Sequence, residues 1–342
     1  ENALRGGSKL TIYLGIDPTG PQLHLGHSVP LLLLRRFQRL GHKTTLLIGD
    51  FTARIGDPSG KKTQRKPLNA GEIAKHLATY KNQASKILQF SSSENPTEIK
   101  FNNKWLGGLK FSDLLAITSH FTVQQMLARD MFQERIKNEE PIGLNEFLYP
   151  VAQGYDSVAL KTDIEIGASD QLFNMLAGRE LVREYLKKEK FVVTTRLLVD
   201  PVTGKKMSKS EGNVVALDLA PVDMYGEVMA FPDELIEECF ELCTEVPLAE
   251  VGGVVKLPPR EAKAKLAHTI VAMYHGKSAA DEAGKEFNRV FLEDGVPADM
   301  RIVKIKEKKK NIIDLLVEIK LAASRSEARR LIEQGGVKIG KE

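Results

Sequence analysis

Two histidines three residues apart stand where a helix is predicted to begin. The segment HLGH covers residues 24–27 and leads into a leucine-rich run that ends at Gly41. At a helix start both imidazoles project from one face, beside backbone N–H groups that favour phosphate. Gly26 leaves room for a flat base or ribose to approach. Spacing alone leaves three interpretations open: surface histidines, a phosphate site, or two of three zinc ligands.

A second segment carries charge that suits a polyphosphate. KKMSKSEGN at residues 205–213 holds three lysines and two serines and follows a predicted strand and turn. Its ammonium and hydroxyl groups can bind phosphate oxygens. Most segments of this composition are solvated basic loops without a ligand. The same two interpretations, a phosphate-binding loop and a solvated basic loop, apply to Lys61 and Arg65. The glycine motifs G-x-G-x-x-G and G-x-x-x-x-G-K-[ST] are absent, so a nucleotide would be held by other residues.

The elements around these motifs alternate between strands and helices. Short apolar or β-branched segments predict strands at residues 10–16, 44–48, 159–166 and 192–199. Helices are predicted from His27 to Leu40 and over 171–188, and 222–291 is helical in pattern. Residues 72–147 are mostly helical and are interpreted as an insertion. This order predicts an α/β fold with a Rossmann-like parallel sheet, whose ligands bind outside the carboxyl ends of the strands.

The charge of the chain is unevenly distributed. The 342 residues contain 49 Lys+Arg and 45 Asp+Glu, a net charge of +4. Residues 303–342 hold 11 basic and 6 acidic side chains, a net of +5, so the preceding 302 residues carry −1. This division fits a near-neutral body that handles a small anion with local cations, joined to a basic tail that meets a polyanion.

Composition excludes several other classes of protein. The longest aliphatic run near the N-terminus is far short of the roughly 20 residues that span a bilayer. Only two cysteines occur, Cys239 and Cys243, in an apolar helical setting. They predict a packed pair of thiols in a reducing cytoplasm, with a shared metal as the alternative. No signal peptide is visible. The chain begins at Glu1 rather than at Met, which suggests that a segment precedes it.

Together the two motifs resemble the signature pair of class I aminoacyl-tRNA synthetases, and the wider context is similar to the tyrosyl-tRNA synthetase family. The matching stretches are YLGIDPTGPQLHLGH (13–27), IGDPSGKKTQR (55–65), YPVAQGYD (149–156), IGASDQ (166–171) and KMSKS (206–210). Tryptophan-specific relatives resemble GEDQ where this chain has Ser169-Asp170-Gln171. Ala168 and Leu172-Phe173 depart from the commonest GGSDQWG form of the family.

The resemblance implies roles for individual residues. Tyrosine would be bound by Tyr13, Asp57, Tyr149, Gln153, Asp156 and Gln171. ATP would be bound by Asp17, Thr19, Gly26, Asp170 and Ser208. The phosphates and the leaving pyrophosphate would be stabilised by His24, His27, Lys61, Arg65, Lys206 and Lys209. Within these sets, Asp156 and Tyr13 would bind the phenol hydroxyl. Phenylalanine has no hydroxyl, so it would leave these two residues as a buried polar pair without a hydrogen-bonding partner.

Three of these residues also form a pattern of their own. Tyr149, Gln153 and Asp156 are spaced i, i+4 and i+7, which predicts a polar stripe on a helix whose first position is Pro150. A stripe that faces inwards needs a polar ligand, and one that faces outwards needs none. By resemblance, Tyr149 and Gln153 hold the tyrosine ammonium together with Asp57.

The resemblance also implies the reaction and the partners. The tyrosine carboxylate attacks the α-phosphorus of ATP, and a terminal ribose hydroxyl of tRNA then attacks the adenylate. Mg²⁺ accompanies ATP, with no protein metal site and no tightly bound cofactor. Family members are homodimers, which places the contact at 111–131. Arg325, Arg329 and Arg330 would meet RNA, in a module that normally continues beyond Glu342.

These observations predict the following domain organisation. A catalytic domain covers 1–219 with an insertion at about 72–147, an α-helical domain covers 220–302, a basic linker covers 303–310 and an incomplete α/β RNA-binding module covers 311–342. The expected protein is cytoplasmic and does not contact a membrane. Three other functions compete: tryptophan activation, an inactive RNA-binding paralogue, and a general nucleotidyltransferase.

Overall fold

A computed structural model describes residues 2–59, 68–91, 94–201, 204, 207, 214–292, 303 and 310–337. The chain divides into two units, Glu1–Phe287 and Asn288–Glu342. None of the helices in the described ranges is both long enough and apolar enough to cross a membrane.

Within the described residues, five strands of the first unit form one parallel sheet. They are β1 (Thr11–Ile16), β2 (Lys43–Ile48), β3 (Glu98–Phe101), β4 (Ile164–Ala168) and β5 (Phe191–Thr195). Their order across the sheet is β3-β2-β1-β4-β5, so the chain builds outwards from β1 in one direction and then in the other. The predicted parallel Rossmann-like sheet is confirmed. Its topological switch point lies between β1 and β4, where ligands bind in such folds.

Helices connect and cover these strands. Helix α1 (Asn2–Arg5) precedes β1. The helices between β1 and β4 are α2 (Leu25–Arg39), α3 (Thr52–Ile55), α4 (Ala70–Ala84), α5 (Asn103–Leu106), α6 (Phe111–Thr118), α7 (Val123–Leu127), α8 (Asp130–Lys137) and α9 (Leu144–Leu160). The later helices are α10 (Leu172–Leu186), α11 (Pro221–Met229), α12 (Leu235–Cys243), α13 (Leu248–Val254), α14 (Pro259–His275), α15 (Lys277–Leu292), α16 (Ile312–Glu318) and α17 (Arg325–Glu333). The helical pattern predicted for 222–291 is therefore observed.

Three details of the sequence-based prediction were wrong. The strand predicted at 159–166 begins only at Ile164, because the apolar residues before Lys161 complete the last turn of α9 and Lys161 ends it in the left-handed conformation. Pro150 lies inside α9 rather than at its first position. The insertion contains β3, a four-residue strand too short and too exposed to give an apolar signal.

Close packing of α9 on α10 turns the polar stripe inwards. A Cβ atom added to Gly154 would lie 3.0 Å from Leu181 Cδ1 and 3.2 Å from backbone atoms of Ala177 and Gly178. Only a residue without a side chain allows this approach. Tyr149 and Asp156 of the stripe are buried as a result.

The second unit contains a short helical pair. Helices α16 and α17 pack around Leu316, Ala322 and Ala328. The side chain of Ser324 accepts a hydrogen bond from the Glu327 backbone N–H at 3.2 Å and so caps α17. The three arginines predicted to meet RNA are all exposed, and Arg325 forms an ion pair with Asp314 at 3.2 Å.

Candidate active site

A pocket opens at the switch point of the sheet, between the carboxyl ends of β1 and β4 and the inward face of α9. Its polar lining consists of Tyr13, Asp17, Thr52, Asn102, Tyr149, Gln153, Asp156, Glu165 and Gln171. The pocket thus brings together most of the residues predicted to bind tyrosine, Asp17 of the predicted ATP site, and three polar residues that the sequence did not single out, which are Thr52, Asn102 and Glu165.

A buried carboxylate forms one end of this pocket. Asp156 Oδ1 accepts a hydrogen bond from Trp105 Nε1 at 2.7 Å, and Oδ2 accepts one from Asn102 Nδ2 at 3.1 Å. Burial raises the pKa of Asp156 well above its usual range, and the two hydrogen bonds oppose that shift. Each oxygen has further acceptor capacity, so Asp156 can bind a hydroxyl that enters the pocket.

Tyr13 lies beside this carboxylate on the central strand. Its hydroxyl is 3.0 Å from Ser157 Oγ. Burial raises the pKa of the Tyr13 phenol, and the negative charges of Glu165 and Asp156 raise it further. Tyr13 is therefore a neutral hydrogen-bonding group that can read a hydroxyl together with Asp156, as the resemblance implies.

The opposite end of the pocket carries a second network of acidic and amide groups. Asp17 accepts hydrogen bonds from the Tyr149 hydroxyl at 2.8 Å and from Thr52 Oγ1 at 2.7 Å. Asp57 instead accepts bonds from Gln171 Nε2 at 2.8 Å and from the Ser59 backbone N–H at 2.9 Å. The structure therefore pairs Tyr149 directly with Asp17, although the resemblance groups it with Asp57.

Asn174 and Arg129 support the Asp57 side of the network. Asn174 Nδ2 lies 3.1 Å from Gln171 Oε1 and 3.2 Å from Ser59 Oγ. Arg129 Nη2 donates to Ser59 Oγ at 2.8 Å, and its guanidinium lies 4.6 Å from the centre of the Phe173 ring. These contacts fix the Gln171 amide, so its orientation is set before a ligand arrives.

The histidine pair stands at the start of α2. His24 is the N-cap residue, and its Nδ1 accepts a hydrogen bond from the Gly26 backbone N–H at 3.2 Å. His27 Nδ1 accepts one from the His24 backbone N–H at 3.3 Å, and the ring centres are 3.9 Å apart. Because Nδ1 is the acceptor in both rings, these bonds assign the proton of each neutral imidazole to Nε2. Each ring then carries its N–H group at Nε2.

The structure bears on the three interpretations of the histidine pair, which were surface histidines, a phosphate site and two of three zinc ligands. His24 is buried, so it is not a surface histidine. A Cβ atom at Gly26 would lie 3.0 Å from His24 Cε1, so glycine makes room for the capping ring. Among the described residues, no three His, Cys, Asp or Glu side chains form a group that could hold a metal ion.

The segments that flank the lysine motif lie against the histidine motif. The Leu25 backbone N–H donates to the Val215 carbonyl at 3.0 Å, and the Leu217 N–H donates to the Leu23 carbonyl at 2.9 Å. A Cβ atom at Gly26 would be 3.6 Å from the Met207 carbonyl oxygen. Five predicted site residues lie outside the described ranges: Lys61, Arg65, Lys206, Ser208 and Lys209.

Two predicted ATP-binding residues border the pocket without lining it. Thr19 is exposed in the turn after β1, where its backbone N–H donates to the Asp17 carbonyl at 2.8 Å. Asp170 is half-buried in the short turn Ser169–Gln171 that follows β4. Both therefore lie at the carboxyl edge of the sheet, on the side of the pocket that carries Asp17 and Gln171.

Comparison with protein families agrees with this geometry. The family model of the tRNA synthetases class I (W and Y) matches residues 5–292. The chain belongs to this family. A model of the C-terminal domain of SYY-like tyrosine–tRNA ligases matches residues 292–342.

Individual class I tRNA synthetases are similar to the chain over nearly all of its length. The tyrosine–tRNA ligase of Thermotoga maritima is 46% identical over 97% of this chain and 83% of its own length. That of Moorella thermoacetica is 45% identical over 99% of this chain and 83% of its own. Among solved structures, a C-terminally truncated Coccidioides posadasii mitochondrial tyrosyl-tRNA synthetase matches with a TM-score of 0.67 and 25% identity, over 83% of this chain and 85% of that one.

Proposed function

We propose that the chain is a tyrosine–tRNA ligase, an enzyme that activates tyrosine with ATP and transfers it to tRNA. The observation that carries this proposal is the buried Asp156 carboxylate, which retains acceptor capacity and lines the pocket together with Tyr13. The phenol hydroxyl of tyrosine can donate a hydrogen bond to Asp156 and form a second hydrogen bond with the Tyr13 hydroxyl. Phenylalanine would leave both groups unmatched. The names of the similar enzymes support the same amino acid.

The first step needs no general base from the protein. A carboxylate oxygen of tyrosine attacks the α-phosphorus of ATP, the bond from that phosphorus to the bridging oxygen breaks, and pyrophosphate leaves. The protein contributes positioning and stabilisation of the developing phosphate charge. His24 and His27 would donate from Nε2 to phosphoryl oxygens. Lys61, Arg65, Lys206 and Lys209 remain predicted to bind the leaving pyrophosphate, and Ser208 to bind ATP.

The amino-acid backbone of tyrosine would lie at the acidic end of the pocket. We propose that Tyr149, Gln153 and Asp57 bind the ammonium and that Gln171 lies near the carboxylate. Asp17 would add negative charge close to Tyr149, in addition to its predicted part in binding ATP with Thr19, Gly26 and Asp170. The short distances from Tyr149 to Asp17 and from Gln171 to Asp57 support one continuous polar surface for these groups.

Mg²⁺ would enter with ATP. The described residues offer oxygen ligands in the acidic end of the pocket but no clustered site for an ion, so the phosphate oxygens and water would supply most ligands. The ion would neutralise charge on the phosphates.

Exchange of labelled pyrophosphate into ATP tests the proposal directly. We expect exchange that depends on tyrosine, with phenylalanine supporting it at least a hundredfold less well, since it lacks a partner for the polar pair. Tryptophan should also support exchange at least a hundredfold less well, because its indole is larger than a phenol and has no hydroxyl to bond with both groups. Exchange with tryptophan but not with tyrosine would contradict the specificity. The absence of exchange with any amino acid would favour the inactive RNA-binding paralogue.

We further propose that the protein is a homodimer through the 111–131 segment. Phe111, Leu115 and Val123 expose 75%, 56% and 64% of their surfaces there. Beside them lies an apolar groove, whose lining includes Phe51, Ile55, Leu109, Leu114, Val151 and Tyr155. Such a groove and exposed apolar side chains together favour burial in a protein contact.

A charge placed in this surface should separate the subunits. We expect the unmodified protein to sediment as a dimer at micromolar concentration and Leu115→Glu to sediment as a monomer. The control is Leu248→Glu, which places the same charge at a leucine 69% exposed outside this segment and should leave the dimer intact. A monomeric unmodified protein would rule the proposal out.

Other parts of the sequence-based interpretation stay predictions. These are the domain limits at 219, 302 and 310, the cytoplasmic location, and RNA binding by Arg325, Arg329 and Arg330. Both cysteines are free and buried, which is consistent with the packed thiol pair.

A further inference from the structure

A buried ion pair lies directly beneath the candidate amino-acid site. Glu165 is the second residue of β4, opposite Tyr13 of β1 in the sheet register, and Lys190 directly precedes β5. Both side chains are almost completely buried, with exposures of 2% and 0%. Lys190 Nζ donates to Glu165 Oε2 and also to the Met175 carbonyl at 2.8 Å. The catalytic step proposed above uses neither residue.

This carboxylate fixes the orientation of a side chain in the site. Gln153 Nε2 donates to Glu165 Oε1 at 2.9 Å. An ionised carboxylate accepts hydrogen bonds and donates none, so only the NH₂ group of the Gln153 amide can face it. The Gln153 carbonyl oxygen therefore points away from Glu165, and an oxygen is the end of the amide that attracts an ammonium group.

The same carboxylate sets a second chain of hydrogen bonds. Ser157 Oγ lies 3.2 Å from Glu165 Oε2 and must donate to it. Having used its only proton, Ser157 can only accept from the Tyr13 hydroxyl, 3.0 Å away, until a ligand hydroxyl takes that Tyr13 proton instead. Glu165 thus determines which atoms donate and which accept on two sides of the pocket. It acts through the Gln153 amide on one side and through the Ser157 hydroxyl on the other.

The fold makes specific room for this ion pair. A Cβ atom at Gly178 of α10 would lie 2.5 Å from Lys190 Nζ, 2.6 Å from Ser157 Oγ and 3.3 Å from Glu165 Oε2. A side chain at this position would displace the ion pair or Ser157. Burial lowers the pKa of Lys190, and the neighbouring Glu165 carboxylate opposes that shift and favours the charged form.

We propose that Glu165, held by Lys190, is a positioning residue that orients the Gln153 amide so that its carbonyl oxygen receives the substrate ammonium. This inference rests on the proposed function, because it takes the ammonium of tyrosine as the group bound by Gln153. A neutral amide at position 165 could donate as well as accept, and the Gln153 amide could then turn its NH₂ group towards the ammonium, with which it cannot bond.

The test compares tyrosine with an analogue that lacks the ammonium. The variant is Glu165→Gln combined with Lys190→Met, which removes both buried charges together so that neither is left unpaired. In pyrophosphate exchange we expect the KM for tyrosine to rise about 10- to 100-fold, the range for a misaligned hydrogen bond to a charged group. The amide oxygen introduced at position 165 can still accept from Ser157, so the Tyr13 end of the pocket is preserved. The inhibition constant of 3-(4-hydroxyphenyl)propanoate, which keeps the phenol and the carboxylate, should therefore change less than about twofold.

The matched control removes a different buried ion pair from the same unit. Arg135 and Glu146 are 2.7 Å apart, with side-chain exposures of 3% and 1%, and have no hydrogen bond to Gln153 or Ser157. Arg135→Met with Glu146→Gln should lower the melting temperature and leave both constants unchanged. A selective rise of the KM for tyrosine in the first variant only would therefore indicate a positioning role, because a general loss of packing would affect both variants or both ligands alike.

Each result decides between stated alternatives. An unchanged KM for tyrosine in the Glu165→Gln/Lys190→Met variant would overturn the inference, as would equal weakening of tyrosine and the analogue. If the unmodified protein shows no tyrosine-dependent exchange, the proposed function fails, and the inference fails with it. Normal exchange by the unmodified protein together with unselective weakening in the variant overturns the inference alone.

Discussion

Replacement of Asp156 by alanine is expected to abolish the preference for tyrosine. The substrate hydroxyl would lose its carboxylate acceptor, and the donors Asn102 Nδ2 and Trp105 Nε1 would lose theirs. A lost hydrogen bond to a charged group and the unmatched buried donors together predict a fall of about 10²- to 10³-fold in kcat/KM for tyrosine. Phenylalanine has no hydroxyl to match, so its weak activity should fall much less. The measurement is pyrophosphate exchange with each amino acid.

Two further measurements separate recognition from folding. Removal of the carboxylate also removes a buried charge whose pKa is raised by burial, which offsets part of the cost of the unpaired donors. We therefore expect the variant to keep a cooperative thermal transition and the KM of ATP. Asp223→Ala, an exposed position on α11 outside the proposed dimer surface, is the control and should behave like the unmodified protein. Unchanged tyrosine activation in Asp156→Ala would reject the role in recognition.

The second large effect is expected at the start of α2. His24→Ser and His27→Ala each remove an imidazole donor aimed at the phosphates, and each should lower kcat of exchange by about 10²- to 10³-fold, as loss of one transition-state donor does elsewhere. Serine at position 24 remains an N-cap residue, so α2 should persist in that variant. The KM for tyrosine should stay nearly constant in both.

His42 provides the control for this pair. Its Nδ1 accepts a hydrogen bond from the Leu10 backbone N–H at 3.3 Å, the same kind of bond that His24 makes, at the opposite end of β1 and β2 from the pocket. His42→Ser should lower stability and leave kcat unchanged. A decrease of less than tenfold in the His24→Ser and His27→Ala variants would show that neither donor acts on the transition state.

The sequence predicted the parts of the site that depend on local periodicity. The spacing of Tyr149, Gln153 and Asp156 indicated one helical face, and the strand–helix–strand order indicated the pocket at the edge of the sheet. Asn102 and Trp105 were missed because they follow β3, whose four half-exposed residues give no apolar signal. Their contact with Asp156 crosses more than fifty positions of the chain, and it depends on packing that no local pattern encodes.

Glu165 was also missed, although the sequence contained a pattern that could have indicated a buried ion pair. It is an acidic residue between two isoleucines of an otherwise buried strand, and burial of an ionised group requires a partner. The identity of that partner could not be predicted. Lys190 lies 25 residues later and reaches Glu165 only because Gly178 leaves the intervening space open.

The contact of Gly154 with α10 limits how the specificity of this enzyme family can be altered. Helix α9 carries Gln153, and α10 begins directly after Gln171, so the groups proposed for the ammonium and the carboxylate belong to two helices whose backbones touch. Neither group can be shifted without the other. Space for a bulkier amino acid is easier to create at the end that is proposed to bind the phenol hydroxyl. There Tyr13 and Asp156 can each be replaced by a shorter residue independently. Selection for new substrates should therefore change the side-chain end of the pocket first and preserve recognition of the α-amino acid group.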